Sequence, residues 1–556
     1  MNLLRISYAI LIFWIIPGLV QAQQPEGKTK LPTQVYRVES FNAVMRTTKS
    51  VAKAIEKPEL VKRLDKLIAN YLGEGGIQGA GIDPSRPWIA YGDITNLQSP
   101  PNLVVMLPIL DQKKFRRALT SRGFEVKKGE NGVRVVTQNL IPSTLVGYNV
   151  ANKYVYIAMK NFNPIVPDNL VHPSNLKTID MKALASGTIY GNRLPAYIVK
   201  SMKQLVKQGL VQVSQGPAPP GVRPFLSALE KYLLDQAFQA LDGIDTVSMV
   251  VDVNKRTKDV SWTVRANPKK GSKFAKTVAA QGSLKSVFGN VAKKPLVRYS
   301  VNCQLPPELC KHSDALLDLW ADAIAAQIKT DPEIQAARLV LKSLSPTLRK
   351  GHLDFVVSVE QTQDDQAGLI YGLRVAQGKK IEAAVKKAIK SLPKNVQQAI
   401  ELDAFKIGGM NVHRMDMKAL FGGETFPGLP FLGDGTAFAG IRNNAVFVVL
   451  GRDLKHTLKT FAKVKPGPTP MFLTETDLSA MRLMVPGGLG ANDPFAKVLQ
   501  DKSSPKLSYG FYAGNSLEFQ LRTNFAMIRY YVDLFTRLAA PPGGVPGAGP
   551  GFGGAN

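Results

Sequence analysis

Motifs typical of catalytic or cofactor-binding sites are scarce in this chain of 556 residues. Its five histidines are not spaced as in zinc motifs such as HExxH, and no GxSxG nucleophile elbow occurs. The stretch GEGGIQGAG begins at Gly73, but Gln78 replaces the last glycine of a GxGxxG phosphate loop. We therefore predict no metal site, no cofactor and no catalytic residue of a recognised type, and we interpret the histidines as surface or hydrogen-bonded residues.

Long apolar runs are confined to the N-terminus. Arg5 precedes an apolar run over residues 6–20, and Val20 and Ala22 place small residues before a cleavage point at Gln23. The run is shorter than the ~20 residues that span a bilayer, so residues 1–22 are predicted to be a signal peptide. We expect an exported protein, periplasmic or extracellular, with no transmembrane segment after cleavage.

Cysteine is nearly absent, with two residues in the whole chain. Cys303 and Cys310 flank QLPPEL, and export would place them in an oxidising compartment. The spacing allows a disulfide that closes a small loop, and it equally allows two free, partly buried thiols. A metal site of Cys310, His312 and Asp314 is the weaker interpretation, because Ser313 and Asp314 suit the start of the following helix.

Acidic residues are few, with 42 Asp and Glu against 71 Lys and Arg, which gives a formal net charge of +29. Such an excess favours anionic partners. Two basic helices concentrate it, and the residues that we consider anion-binding candidates are Lys113, Lys114, Arg116, Arg117, Lys379, Lys380, Lys386 and Lys387. An anionic polysaccharide or a membrane surface is the expected partner. Export and the lack of interleaved aromatic residues count against nucleic acid.

Five units recur in the same order in the two halves of the chain. The alignment places Pro295 on Pro32, Lys379 on Lys113, Asn443 on Asn152, Asp477 on Asp180 and Arg522 on Arg265. A tandem duplication explains this order, with extra segments at about 200–243 in the first half and about 416–440 in the second. We predict two domains, residues 23–283 and 284–540, followed by a disordered Pro/Gly tail, residues 541–556.

The predicted fold class is α+β. Strands joined by short turns such as Gly514-Asn515 indicate a mainly antiparallel sheet in each domain. Helices come in blocks rather than after every strand, so we expect them to pack on one face of each sheet.

The stretch AGIDPSRPWIAYGDI, followed by VVMLPILDQKKFRRAL, resembles the opening of a poorly characterised family of exported bacterial proteins. In that family a GxDP turn precedes a strand pair and a helix. The resemblance covers residues 79–119, implies a bacterial envelope location and supplies no catalytic residues.

These observations favour a non-catalytic binding or structural protein of the cell envelope that engages anionic polymers. One alternative is a secreted hydrolase between the halves with Asp180 and Asp477 as its carboxylates, although helix capping also explains both residues. The other is a carrier that holds an apolar ligand between helix and sheet.

Overall fold

The computed structural model describes residues 31–538 apart from the segments 73–74, 95–101, 139–145, 160–161, 215–222, 290, 292–294, 327–329, 364–365, 421–434, 452–454 and 481–503. The predicted signal peptide and Pro/Gly tail lie outside the described residues, as do parts of both predicted inserts.

Stretches rich in β-branched and aromatic residues form the strands. Among the described residues they are β1 (Gln34–Val38), β2 (Trp88–Asp93), β3 (Asn102–Pro108), β4 (Phe124–Lys128), β5 (Arg134–Gln138), β6 (Val146–Ala151), β7 (Tyr154–Met159), β8 (Ala185–Tyr190), β9 (Ile244–Asn254), β10 (Asp259–Pro268), β11 (Lys285–Ser286), β12 (Pro295–Gln304), β13 (His352–Gln363), β14 (Gln366–Arg374), β15 (Ile400–Ile407), β16 (Met410–Asp416), β17 (Thr436–Arg442), β18 (Ala445–Leu450), β19 (Gly467–Pro468), β20 (Phe472–Asp477), β21 (Lys506–Ala513) and β22 (Leu517–Asn524).

The helices between them have capping residues where the sequence offers them. Ser40, Asp111 and Ser272 each accept backbone N–H hydrogen bonds at a helix start. The described α-helices are α1 (Phe41–Ala54), α2 (Glu59–Leu72), α3 (Gly76–Gly79), α4 (Gln112–Thr120), α5 (Ala196–Ser214), α6 (Arg223–Gly243), α7 (Lys273–Gly282), α8 (Pro307–Cys310), α9 (Ser313–Ala325), α10 (Asp331–Ser343), α11 (Ser345–Lys350), α12 (Gly378–Lys390), α13 (Lys394–Gln398), α14 (Met417–Leu420), α15 (Lys455–Lys463) and α16 (Phe525–Leu538). None of the described helices is long and apolar enough to cross a membrane.

All strands except β11 and β19 join one antiparallel, 20-stranded sheet, so the fold is α+β. Its spatial order is β4-β5-β6-β7-β3-β2-β1-β8-β9-β10-β22-β21-β20-β12-β13-β14-β18-β17-β16-β15. The first half of the chain forms the ten strands from β4 to β10 in this order, and the second half forms the ten strands from β22 to β15. The pairing of β10 with β22 joins the two halves at the centre. Counted outward from that central pair, the two halves have the same strand order.

Both faces of the sheet are covered in the second half, which differs from the expectation of helices on one face. On β18, Val446 packs in the cluster around Ile381 of α12. The next residue, Phe447, packs on Phe461 of α15 with ring centroids 4.5 Å apart. Successive strand residues point to opposite faces, so α12 and α15 lie on opposite sides of the sheet. The expectation is wrong here because α15 has its own apolar stripe, in which Leu458 and Phe461 are fully buried.

Candidate functional site

The first basic helix, α4, presents its charges to solvent. Its N-cap Asp111 accepts the backbone N–H groups of Lys113 and Lys114 at 2.8 and 3.0 Å, and Phe115 anchors the helix to the core. The side chains predicted to bind anions are exposed, and within the described part of the chain they form no ion pair; they are Lys113, Lys114, Arg116 and Arg117.

The second basic helix, α12, is partly neutralised. Lys379, Lys380 and Lys387 are exposed, but Lys386 is half-buried. The Nζ atom of Lys386 lies 2.8 Å from a carboxylate oxygen of Glu382 and 2.8 Å from one of Asp403. The hydrogen bonds that Lys386 donates to Asp403 and Glu382 raise the pKa of Lys386. Lys386 therefore has its counter-ions within the protein, and the two basic helices are not equivalent.

Sequence reasoning missed the polar cluster around Lys386. His413 is 2% exposed. One ring nitrogen of His413 and one carboxylate oxygen each of Glu382 and Asp403 lie within 4.8 Å of one another. Nδ1 of His413 accepts the Asp403 N–H at 3.0 Å, which leaves the ring proton on Nε2, 4.0 Å from Glu382 Oε1. The ammonium of Lys386 occupies the space between the carboxylates. The arrangement is thus an ion-pair network that fastens α12 to β15 and β16. No short motif contains these residues, so spacing gave no signal.

The proposed carboxylate pair does not share a site. Asp180 accepts the N–H groups of Lys182 and Ala183 in the turn before β8. Asp477 ends β20, where it accepts from Ser479 and Ser504 and lies 3.5 Å from Lys506 Nζ. Strands β9, β10, β22 and β21 separate β8 from β20, a distance of about 24 Å at ~4.8 Å per strand. Both aspartates cap local turns, and the hydrolase interpretation has no residues left to carry it.

The alignment of the two aspartates is also wrong. Gln34 of β1 pairs with Ile189, while its aligned residue Val297 of β12 pairs with Thr476. Ile189 therefore corresponds to Thr476, and Asp477 corresponds to Tyr190 rather than to Asp180. The short match between the two segments misled the alignment, because Asp180 precedes its strand and Asp477 ends one.

Cys303 and Cys310 are free thiols in the structure. Cys303 lies on β12, where burial, and secondarily Asp354, raises its pKa to about 11. Burial is also the main cause that raises the pKa of Cys310. Both thiols therefore stay protonated near neutral pH, which disfavours nucleophilic chemistry.

One side of the central sheet is apolar over seven adjacent strands. We call it the apolar face; it consists of every second residue over 247–253 of β9, 260–266 of β10, 517–523 of β22, 507–513 of β21, 472–476 of β20, 297–303 of β12 and 353–359 of β13. Directly paired residues of antiparallel strands point to the same side, which fixes this set. It contains three threonines and Cys303 among aliphatic and aromatic residues, and no charged residue.

On β12 and β13 the burial of the two sides of the sheet is the reverse of the usual pattern. Every residue of the apolar face is partly exposed. On the opposite side of β12 and β13, polar side chains are buried, with exposures of 7% for Arg298, 3% for Asn302 and 1% for Ser358. The connection before β12 covers that polar side, since Val287 and Phe288 pack in one cluster with Val356. On these two strands the apolar side is thus more accessible to solvent than the polar side behind it, although Val357 and Val359 pack on a core cluster around Leu369.

Aromatic rings form a continuous row across the apolar face. Their centroids are separated by 6.4 Å for Trp262–Phe519, 5.1 Å for Phe519–Phe511, 6.3 Å for Phe511–Phe472, 5.1 Å for Phe472–Tyr299 and 5.8 Å for Tyr299–Phe355. These rings stand on six adjacent strands, a width of about 24 Å. The row joins the two halves of the molecule.

Helix α6 has a second partly exposed apolar surface, and its Tyr232 lies near Cys303 of the apolar face. Burial, and then the neighbouring Cys303 thiol of the apolar face, raises the pKa of Tyr232 in α6. Of the 21 residues of α6, only Gly243 is buried, although the helix contains Phe225, Leu229 and Phe238. The helix packs chiefly on other helices, α5, α7 and α8. Apolar side chains of α6 and of the apolar face are thus both partly exposed.

Comparison with known proteins adds little. No protein-family model matches the chain, and no curated protein matches it. Among solved structures the chain is similar to "Structure of crystal form IV of TP0453", with a TM-score of 0.21 and 9% identity over 42% of this chain and 76% of that one. A TM-score this low supports no statement about fold or function.

Proposed function

We propose that this is an exported, non-catalytic binding protein that holds an apolar, chain-like ligand between α6 and the apolar face. The observation that carries the proposal is a ring-lined, uncharged face on seven strands that is partly exposed throughout, while on β12 and β13 the polar side behind it is buried. Contiguous apolar surface of this extent on a folded protein is typical of a binding site. The signal-peptide pattern and the resemblance over residues 79–119 support the proposed envelope location.

The chemistry of the face selects the ligand class. A face without charged residues offers no counter-charge to an ionic group, whereas its aliphatic and aromatic side chains gain ~0.8 kcal/mol for each CH₂ of the ligand that they remove from water. The row of rings is elongated, so a hydrocarbon chain fits it better than a compact apolar molecule does.

A fluorescent fatty acid tests this proposal directly. We expect saturable binding with a Kd on the order of micromolar or lower, because burial of a long chain outweighs the cost of ordering it. Displacement by an unlabelled fatty acid, and native mass spectrometry of the purified protein for a co-purifying lipid, provide independent readings. Absence of saturable binding in the folded protein would contradict the proposal.

The exposed cations of α4 support a second proposal, that the protein also engages an anionic surface. Unpaired exposed cations on a strongly basic protein attract polyanions and anionic membranes alike. The alternative of a shared site on both basic helices is less favoured, because Lys386 already lies between Glu382 and Asp403.

We further propose that the two halves, residues 23–283 and 284–540, arose by tandem duplication. Strand register supports this: Val104 pairs with Ala158, and the residues aligned with them, Ile370 and Val449, also pair with each other. At the centre, Thr263 of β10 pairs with Gln520 of β22, the residue that the alignment places on it. Such self-correspondence is expected where two related halves meet about a two-fold axis.

The isolated first half tests the duplication. In a fragment of residues 31–283, β10 lacks its partner β22 and becomes an edge strand, which is a template for pairing. We expect this fragment to form a homodimer in which Thr263 lies opposite its own copy, as measured by sedimentation equilibrium. A folded fragment that stays monomeric at high concentration would argue against related halves.

A further inference from the structure

An exposed leucine stands at the start of the first basic helix. Leu110 is 61% exposed and immediately precedes the N-cap Asp111. An apolar residue in that position often packs on the fourth residue of the helix, which is Phe115 here. Phe115 is 6% exposed, so its contacts come from the core, and Leu110 is left in water. Packing within the chain therefore does not explain Leu110.

The backbone holds Leu110 in this position. The N–H groups of Leu110 and Asp111 both donate to the carbonyl oxygen of Gly81, at 2.8 and 3.2 Å. Gly81 has a φ of +75°, and a Cβ there would lie 2.3 Å from the carbonyl oxygen of Asp111, so only glycine fits. This is the glycine of the GIDP turn. The turn thus presents the leucine on a fixed bend rather than on a free loop.

Several exposed cations lie near this leucine in the fold, beside the carboxylate of the N-cap Asp111. Lys113 and Lys114 follow it in the first turn of α4, and Arg117 lies one turn further. Lys153 belongs to the adjacent hairpin turn, and its carbonyl oxygen accepts the N–H of Ile109 at 3.0 Å. All four cations are exposed and form no ion pair within the described ranges.

The second half lacks this combination. The alignment matches Lys113 and Lys114 with Lys379 and Lys380, but it places Ala376 at the position of Leu110 and Ala383 at that of Arg117. The pairing of an exposed apolar side chain with free cations is therefore particular to the first half.

We propose that Leu110, Lys113, Lys114, Arg117 and Lys153, the basic tip, dock the protein on a membrane surface of anionic phospholipids. The cations attract the headgroups, and Leu110 enters the boundary between headgroups and acyl chains. An anionic polysaccharide would satisfy the cations equally well, but it would leave Leu110 in water. The basic tip is separate from the apolar face, so this inference stands or falls independently of the bound apolar ligand.

Co-sedimentation with phosphatidylcholine vesicles, with and without phosphatidylglycerol, tests the basic tip. We expect the full-length protein to bind only the anionic vesicles. Lys113→Gln with Lys114→Gln should weaken the partition coefficient about fivefold per charge removed. Leu110→Gln should weaken it about tenfold, because a leucine no longer leaves water.

The matched control removes the same charge elsewhere. Lys379→Gln with Lys380→Gln leaves the basic tip intact and should change vesicle binding less than about twofold. An equal loss in this control would show that net charge alone acts and would overturn the proposal. Leu110→Gln protein that binds vesicles like the wild type would also overturn it, and retention on dextran sulfate that depends only on the lysines would assign the surface to polyanions. A circular dichroism spectrum and a denaturant midpoint equal to those of the wild type would show that Leu110→Gln protein is folded.

Discussion

Phe511→Gln is expected to weaken the binding of a fluorescent fatty acid by about 100-fold. Phe511 is in the middle of the aromatic row, with its ring centroid 5.1 Å from that of Phe519 and 6.3 Å from that of Phe472. The change removes ring contacts with the ligand and leaves an amide group without a hydrogen-bond partner against a hydrocarbon chain. Together these effects cost on the order of 3 kcal/mol of binding free energy.

Tyr512 supplies the control because it follows Phe511 on the same strand and points to the opposite side. It is also half-buried, and the charged residues near it are Arg522, Glu475, Arg298 and Glu518. Tyr512→Gln should lower the free energy of unfolding about as much as Phe511→Gln does, yet change ligand binding little. Phe511→Leu should restore most of the binding, since the requirement is an apolar surface. Equal loss of binding in the Phe511 and Tyr512 variants would indicate a general effect on folding and contradict a ligand on the apolar face.

Local patterns in the sequence predicted much of the architecture. The aligned pairs Val104 with Ile370 and Ala158 with Val449 hold the same register in both halves, because alternation fixes which side of a strand faces inward. The alignment of Asp180 with Asp477 was wrong because the matching segment is short and polar, and it has no alternation of apolar residues that would fix the register. The antiparallel strand class and the basic helices were predicted from turns and charge alone, since both are local properties.

The candidate site depends on long-range packing, which the sequence does not predict. Alternation predicts an apolar side for β12 and β13, but the natural expectation is that this side is the buried one. Instead, Val287 and Phe288 of the connection cover the polar side. Local sequence patterns do not predict this long-range packing. Likewise, Lys386 and Asp403 meet because Asp403 adopts a φ of +53° where the register of β15 shifts. The sequence of α12 alone predicts that Lys386 is an exposed lysine.

Asp354→Ala is expected to lower the free energy of unfolding by about 2–4 kcal/mol. The carboxylate of Asp354 is 1% exposed and accepts the hydroxyl of Ser286 and the N–H of Val287, each at 2.7 Å. Alanine would leave these donors buried without an acceptor. Because Ser286 and Val287 lie in the connection between the halves, the variant should also be cleaved faster by trypsin at the exposed Lys285.

Ser358→Ala is the matched control on the same strand. Ser358 is also 1% exposed, but its hydroxyl has no hydrogen-bond partner among the described residues, so its removal should change stability by less than about 1 kcal/mol. If both alanine variants lost equal stability, the loss would report a cavity in β13 rather than the bonds of Asp354.

Asp354→Asn separates the charge of this residue from its hydrogen bonds. Burial raises the pKa of Asp354 above its ordinary value of 3.8, despite the hydrogen bonds from Ser286 and Val287. A carboxyl group with a raised pKa binds its proton more tightly in the folded state, so the associated stability is present below the unfolded pKa and is lost as pH rises through the folded pKa. The wild type should therefore gain stability relative to Asp354→Asn as pH falls from neutral toward the ordinary pKa of the group. Denaturant titrations of both proteins over that range measure the difference between their free energies of unfolding. If this difference shrank or stayed constant on acidification, the folded protein would not raise the pKa of Asp354.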